Sequence, residues 1–172
     1  MRLLEYAAHY DLVTFGWLHQ RDSQRLLVPI AKKISFTADG YFYSFLILYS
    51  LVIPHWGLFQ LSVATLVLER IIYFFLKNSC KRNRPPQVIS GFQSIITASD
   101  KFSFPSGHTS AAFMLATLVF LINPALGAFL FPWAASVAVS RVVLGVHFPT
   151  DTLAGAILGS SMAALGYSVF IG

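Results

Sequence analysis

Residues Ala125–Val146 read ALGAFLFPWAASVAVSRVVLGV. Arg141 is the one ionisable residue in the run, and it stands near the end. About 20 apolar residues make a helical membrane span, so the run is long enough to cross a bilayer. The rest of the composition agrees. The chain of 172 residues is 56% hydrophobic and 11% charged, against roughly 25% charged in an ordinary soluble domain. The reading is an all-α, integral membrane helical bundle, of a length that suits one domain.

Working outward, Thr150–Gly172 is a second apolar run and Ser106–Asn123 a shorter third. Gly57–Leu76 and Phe36–Trp56 bring the expected spans to about five; the last carries Asp39 near its start and ends at Pro54. The run from Ser106 is short for a span, so it is expected to start inside a protein-lined cavity. Gly155, Gly159 and Ala163 repeat at a four-residue interval, which lets helices approach closely and is packing chemistry. Residues 1–35 mix apolar and charged positions without a clean window. They are expected to form an amphipathic segment at the membrane interface, or a helix packed on the bundle, with 36–172 as the transmembrane core. No cleavable leader is expected, because the N-terminus lacks a compact apolar stretch and a small-residue cleavage site. Cys80 is alone, so no internal disulfide can form.

The cations are unevenly placed. If helices alternate in direction, Arg2, Arg21, Arg25, Lys32, Lys33, Lys77, Lys81, Arg82, Arg84, Lys101 and Arg141 gather on one side and the C-terminus lies on the other. Arg70 alone falls inside a span, beside Glu69; an ion pair within the bundle accounts for it. The net charge of +5 suits lipid headgroups or phosphate esters better than nucleic acid. The loop Lys77–Phe104 is long for so small a membrane protein, and such loops are usually functional.

Three clusters lie on the cationic side. The first has Lys77 and, after six residues, Arg84-Pro85. The second is Pro105-Ser106-Gly107-His108. The third is Ser140-Arg141, five residues, His147, three residues, Asp151. Ser106 is a suitable N-cap, and Gly107 lets backbone approach a ligand. A helix start of this kind attracts anions. Pro149 suits a first helical turn, so Asp151 can share a face with His147. A carboxylate on one imidazole nitrogen fixes the tautomer and makes the other nitrogen a better nucleophile. Arginine grips phosphate oxygens in a fork, while lysine acts as a point charge. The set describes a phosphate pocket.

In order and spacing the three clusters resemble the type 2 phosphatidic acid phosphatase superfamily, with every motif position matched over about residues 36–172. The resemblance implies that His147 attacks phosphorus, that Asp151 orients it, and that His108 protonates the leaving oxygen and then activates water. It implies that Lys77, Arg84, Ser106, Gly107 and Arg141 hold the phosphoryl oxygens. It implies no metal and no cofactor, and the sequence has no paired carboxylates at metal-ligand spacing. The substrate expected is a lipid phosphate: a polyprenyl (undecaprenyl) diphosphate first, phosphatidate or phosphatidylglycerol phosphate next. A competing class is a non-enzymatic membrane protein, either a small permease or a scaffold for anionic lipid. It gives no reason for His147 and Asp151 at their spacing. The soluble haloperoxidases of the same superfamily are disfavoured by the apolar spans.

The remaining ionisable groups are read as structural. His9, His19 and His55 lie outside the clusters. Lys81, Arg82 and Lys101 are expected to be lipid-facing or solvated. Asp39 with Gly40, at the mouth of the expected first span, is expected to cap a helix or to border the pocket, the cap being preferred, and Tyr41, Phe42, Tyr43 and Trp56 to anchor at the interface. The expected location is the cell (inner) membrane of a bacterium. The positive-inside rule turns the clusters toward the cytoplasm, whereas the family resemblance turns them outward.

Overall fold

A computed structural model describes residues 2–19, 24–52 and 56–171. Arg21, Pro54, His55 and Gly172 lie outside the described residues. The described residues form helices α1 (Arg2–His19), α2 (Gln24–Thr37), α3 (Tyr41–Val52), α4 (Trp56–Cys80), α5 (Pro85–Val88), α6 (Gly107–Ile122), α7 (Pro124–Val143) and α8 (Pro149–Phe170). Among them α4, α7 and α8 are long and apolar enough to cross a membrane, and α6 is a shorter apolar helix.

The central seam is α6 against α8. A Cβ on Gly155 would lie 2.5 Å from the Ser106 carbonyl oxygen, and one on Gly159 would lie 2.0 Å from that of Ser110. Only glycine lets these backbones approach so closely, as the four-residue interval implies. Ala163 continues the seam into a buried cluster with Leu61, Met114 and Leu118.

The expected span Phe36–Trp56 is not one helix. Helix α2 ends at Thr37, residues 38–40 turn, and α3 starts at Tyr41. Gly40 has φ +97°, a conformation glycine adopts readily and that ends a helix. The two pieces run in succession beside α7. Ala31 packs with Val143 and Leu144, Thr37 Oγ1 accepts a hydrogen bond from Trp133 Nε1, and the Phe42 ring meets Trp133 edge-on. The break between them therefore lies beside Trp133, midway along α7.

Helix α1 packs beside the start of α8 and the end of α7. Phe15 is fully buried with Val142 and Phe148, and His19 stacks on Phe15 and bonds its carbonyl through Nδ1. His19 is thus structural, as expected. Tyr43 differs from the interfacial reading: it is buried and donates to the Ser62 carbonyl. Tyr41, Phe42 and Trp56 are exposed.

Helices α4 and α7 end where α6 and α8 begin. Two helix C-termini carrying Lys77 and Arg141 thereby face two helix N-termini. Cations suit the former and anions the latter.

Candidate active site

The helix ends enclose a cavity of about 610 Å³. Arg84, Gly107, His108, Arg141 and His147 line it, with Asp39, Gly40, Arg70, Tyr73 and Asp100. Lys77, Ser106 and Asp151 stand directly behind that lining and are buried. The eight residues singled out from the sequence therefore converge on one place.

His147 lies in the α7–α8 turn and is 2% exposed. Burial, and then the charges of Arg84 and Arg141, push its pKa down to about 4 against the opposing pull of Asp151. The imidazole is neutral near pH 7, as a nucleophile must be. Its Nδ1 lies 3.8 Å from Asp151 Oδ2 and makes no hydrogen bond. Asp151 is engaged elsewhere: Oδ2 accepts from the Phe148 amide at 2.8 Å, and Oδ1 accepts from Arg82 at 2.7 Å. A shift of under an ångström would bring the imidazole into hydrogen-bond range.

Arg82 corrects one expectation. It is not a solvated charge: its guanidinium bridges Asp151 and Asp11 of α1, the latter at 2.6 Å. Asp11 is buried, and it also accepts from the Thr150 amide at 3.0 Å. The N-terminal helix is thus tied to the carboxylate behind His147. Lys81 and Lys101 are exposed, in line with the sequence reading.

Two of the three cations expected to hold phosphate, Lys77 and Arg84, share one carboxylate. Lys77 Nζ lies 2.7 Å from Asp100 Oδ2, Tyr73 donates to the same oxygen at 2.8 Å, and Arg84 pairs with Oδ1. Arg84 also donates to the Val146 carbonyl, next to His147. Arg141 donates to Ser35 Oγ at 2.6 Å, and its Nε is buried without a partner.

Ser106 occupies the N-cap position of α6 without a side-chain cap bond. Its hydroxyl accepts from Thr109, and its amide donates to the Asp151 carbonyl at 3.0 Å. That last bond locks the second cluster to the third. Gly107 lies against Tyr73, whose hydroxyl would be 3.0 Å from an added Cβ. Asp39 does not serve as a cap: Oδ1 lies 2.7 Å from His108 Nε2.

Sequence reasoning missed Tyr73 and Asp100, read Arg82 as a lipid-facing or solvated charge, and preferred a cap for Asp39 over the place at the pocket border that it occupies. Asp39 carried a signal, being a lone carboxylate inside an apolar run. Tyr73 stands four residues before Lys77, on the same helical face.

A sequence profile of the PAP2 superfamily matches residues 57–171, and the chain belongs to that superfamily. Two relatives and one solved structure refine the picture. The "Decaprenylphosphoryl-5-phosphoribose phosphatase" of Mycolicibacterium smegmatis is 34% identical over 154 residues, 86% of this chain and 67% of that protein. The "Bacitracin transport permease protein BcrC" of Bacillus licheniformis is 31% identical over 98 residues, 57% of this chain. The chain spans about half the length of that second relative, 48%. The crystal structure of Aquifex aeolicus LpxE superposes with a TM-score of 0.75 at 25% identity, covering 91% of this chain and 94% of that one.

Proposed function

We propose that this chain is a metal-independent lipid phosphatase of the membrane, working through a phosphohistidine on His147. The observation that carries the reading is the neutral, buried imidazole of His147 at a cavity wall shared with Arg84 and Arg141. His147 attacks phosphorus as the bond to the leaving oxygen breaks. His108, across the cavity on the first turn of α6, gives that oxygen a proton. Lys77, Arg84 and Arg141 stabilise charge on the equatorial oxygens. Water then attacks the phosphohistidine, passing a proton back to His108.

A polyprenyl diphosphate is the substrate we favour. A polyprenyl-linked phosphate in the name of the Mycolicibacterium relative supports that lipid class; phosphatidate and phosphatidylglycerol phosphate are the alternatives. The cavity has room for a phosphorylated headgroup, and the tail would lie in the bilayer. The Bacillus relative's name favours a second reading, a permease. Transport gives no role to a nucleophilic histidine backed by a carboxylate.

The test is phosphate release by detergent-purified protein, with chelator present. The panel is undecaprenyl diphosphate, phosphatidate, phosphatidylglycerol phosphate and a soluble aryl phosphate. His147→Ala should abolish turnover, and His108→Ala should cost roughly 10²–10⁴-fold on alkyl esters. A folded His147→Ala protein with normal turnover would refute the mechanism. The positive-inside rule turns the site toward the cytoplasm, so a reporter fused after α8, on the opposite side, should read as external. A cytoplasmic reading reverses that orientation.

A further inference from the structure

The break between α2 and α3 is the least economical feature of the bundle. Backbone that leaves the helix at membrane depth loses hydrogen bonds, and is tolerated only where it is buried in protein or lines a cavity. Here Asp39 and Gly40 both line the cavity that holds His108 and His147. The turn delivers a carboxylate to the imidazole of His108, with Asp39 Oδ1 2.7 Å from Nε2.

We propose that Asp39 is a positioning residue for His108: it accepts the Nε2 proton and leaves Nδ1 as the nitrogen that exchanges a proton with the leaving oxygen and then with water. The inference rests on the phosphatase reading above. In the first half-reaction the bond from phosphorus to the leaving oxygen breaks, the bond to His147 forms, and the proton on His108 Nδ1 moves to the leaving oxygen. In the second half-reaction a water oxygen bonds phosphorus, the bond to His147 breaks, and the water proton returns to His108. The imidazole must carry both protons for the first transfer and carries both again after the second. Arg141 lines the same cavity, so an imidazolium with no carboxylate would face an unbalanced cation. Asp39 supplies the balance and, by a fixed hydrogen bond, the orientation.

The role predicts a dependence on the leaving group that a structural role would not show. An alkoxide needs protonation as it departs, whereas 4-nitrophenolate leaves without it. The variants are Asp39→Asn, which keeps the shape, and Asp39→Ala. The probes are dioctanoyl phosphatidate and 4-nitrophenyl phosphate. The parameter is kcat/KM, which for the aryl ester reports phosphoenzyme formation alone. Both variants should lose roughly 10–100-fold on phosphatidate and stay within about threefold on the aryl ester. In a His108→Ala background Asp39→Asn should cost nothing further on phosphatidate, because the two groups act as a unit. Equal losses on both esters would make Asp39 a mere brace for the turn and overturn the proposal, as would no loss on either. If the unaltered protein releases phosphate from neither probe nor from undecaprenyl diphosphate, the phosphatase reading fails and this role fails with it. Activity in the unaltered protein together with full phosphatidate activity in Asp39→Asn sinks the role of Asp39 alone.

Discussion

Asp100 occupies the ground an incoming phosphate would claim. Lys77, Tyr73 and Arg84 all bond to its carboxylate. Burial pushes its pKa up, but the hydrogen bonds from Lys77 and Tyr73 and the charges of Lys77 and Arg84 outweigh that and hold it below the usual carboxylate range. It is therefore ionised at neutral pH. Its contribution to stability is present above the unfolded carboxylate pKa of about 3.9 and is lost as pH falls through the lowered folded value. A substrate dianion that takes Lys77 and Arg84 must break these contacts first. Each charge-assisted bond contributes about 1.5–3 kcal/mol where solvent is excluded. The Asp100 side chain is 36% exposed, so screening brings the net for the pair down to about 1–2 kcal/mol. Asp100→Asn should then tighten inhibition by inorganic phosphate or orthovanadate by roughly 5–30-fold, read against hydrolysis of 4-nitrophenyl phosphate. The unliganded variant should melt at a lower temperature, because two buried cations lose their partner, and phosphate should restore the difference. Unchanged or weaker inhibition in a protein that is otherwise stable would refute the reasoning: Asp100 would then stay in place beside the substrate.

Three further outcomes follow from the geometry. Arg82→Ala leaves the buried carboxylates of Asp11 and Asp151 facing each other without their cation; thermal unfolding in detergent should show a loss of about 3 kcal/mol or more, and limited proteolysis should cut α1 sooner. Gly159→Ala drives a methyl to within 2.0 Å of the Ser110 carbonyl oxygen; the α6–α8 seam should lose roughly 1–3 kcal/mol, and an unchanged melting temperature would count against this packing. His147, with its pKa pushed down to about 4, should show a ring C–H resonance, assigned by its loss in His147→Ala, that titrates well below pH 6. Its neutral form contributes stability above the unfolded value of about 6.5, and that contribution drains away as pH falls toward 4; a midpoint at or above 6.5 would contradict the buried setting.

The sequence was most legible where residues act close to their neighbours in the chain. Pro149 opens α8 and places Asp151 near His147 within four residues, and Ser106-Gly107 opens α6, because turn and cap chemistry is local. The Gly155 and Gly159 interval foretold the seam for the same reason. What escaped the reading depends on meetings across the fold. Asp39 reaches His108 from 69 residues away, and Arg82 reaches Asp11 from 71. No periodicity encodes such a distance. The apolar run from Phe36 looked like one span because hydropathy averages over the break. It cannot register that Gly40 takes a positive φ. Tyr43 looked interfacial because an aromatic phenol suits either a headgroup layer or a buried carbonyl partner, and only the packing of α3 on α4 decides between them.

Helix length sets where the chemistry happens. At 1.5 Å per residue the 25 residues of α4 run about 37 Å, more than the roughly 30 Å hydrocarbon core, whereas the 16 residues of α6 run about 24 Å. Gly107, the first residue of α6, lies against Tyr73, which precedes the end of α4 at Cys80 by seven residues, about 10 Å. The floor of the cavity is therefore set back from the end of the longest helix, and Ser99 and Asp100 of the loop line it beside Arg84. A phosphate held at that depth remains bonded to a lipid whose tail stays among other tails. Under the proposed function the substrate then need not leave the bilayer to meet His147. The short α6, which seemed too small to span, is what sets the cavity floor back from the end of α4.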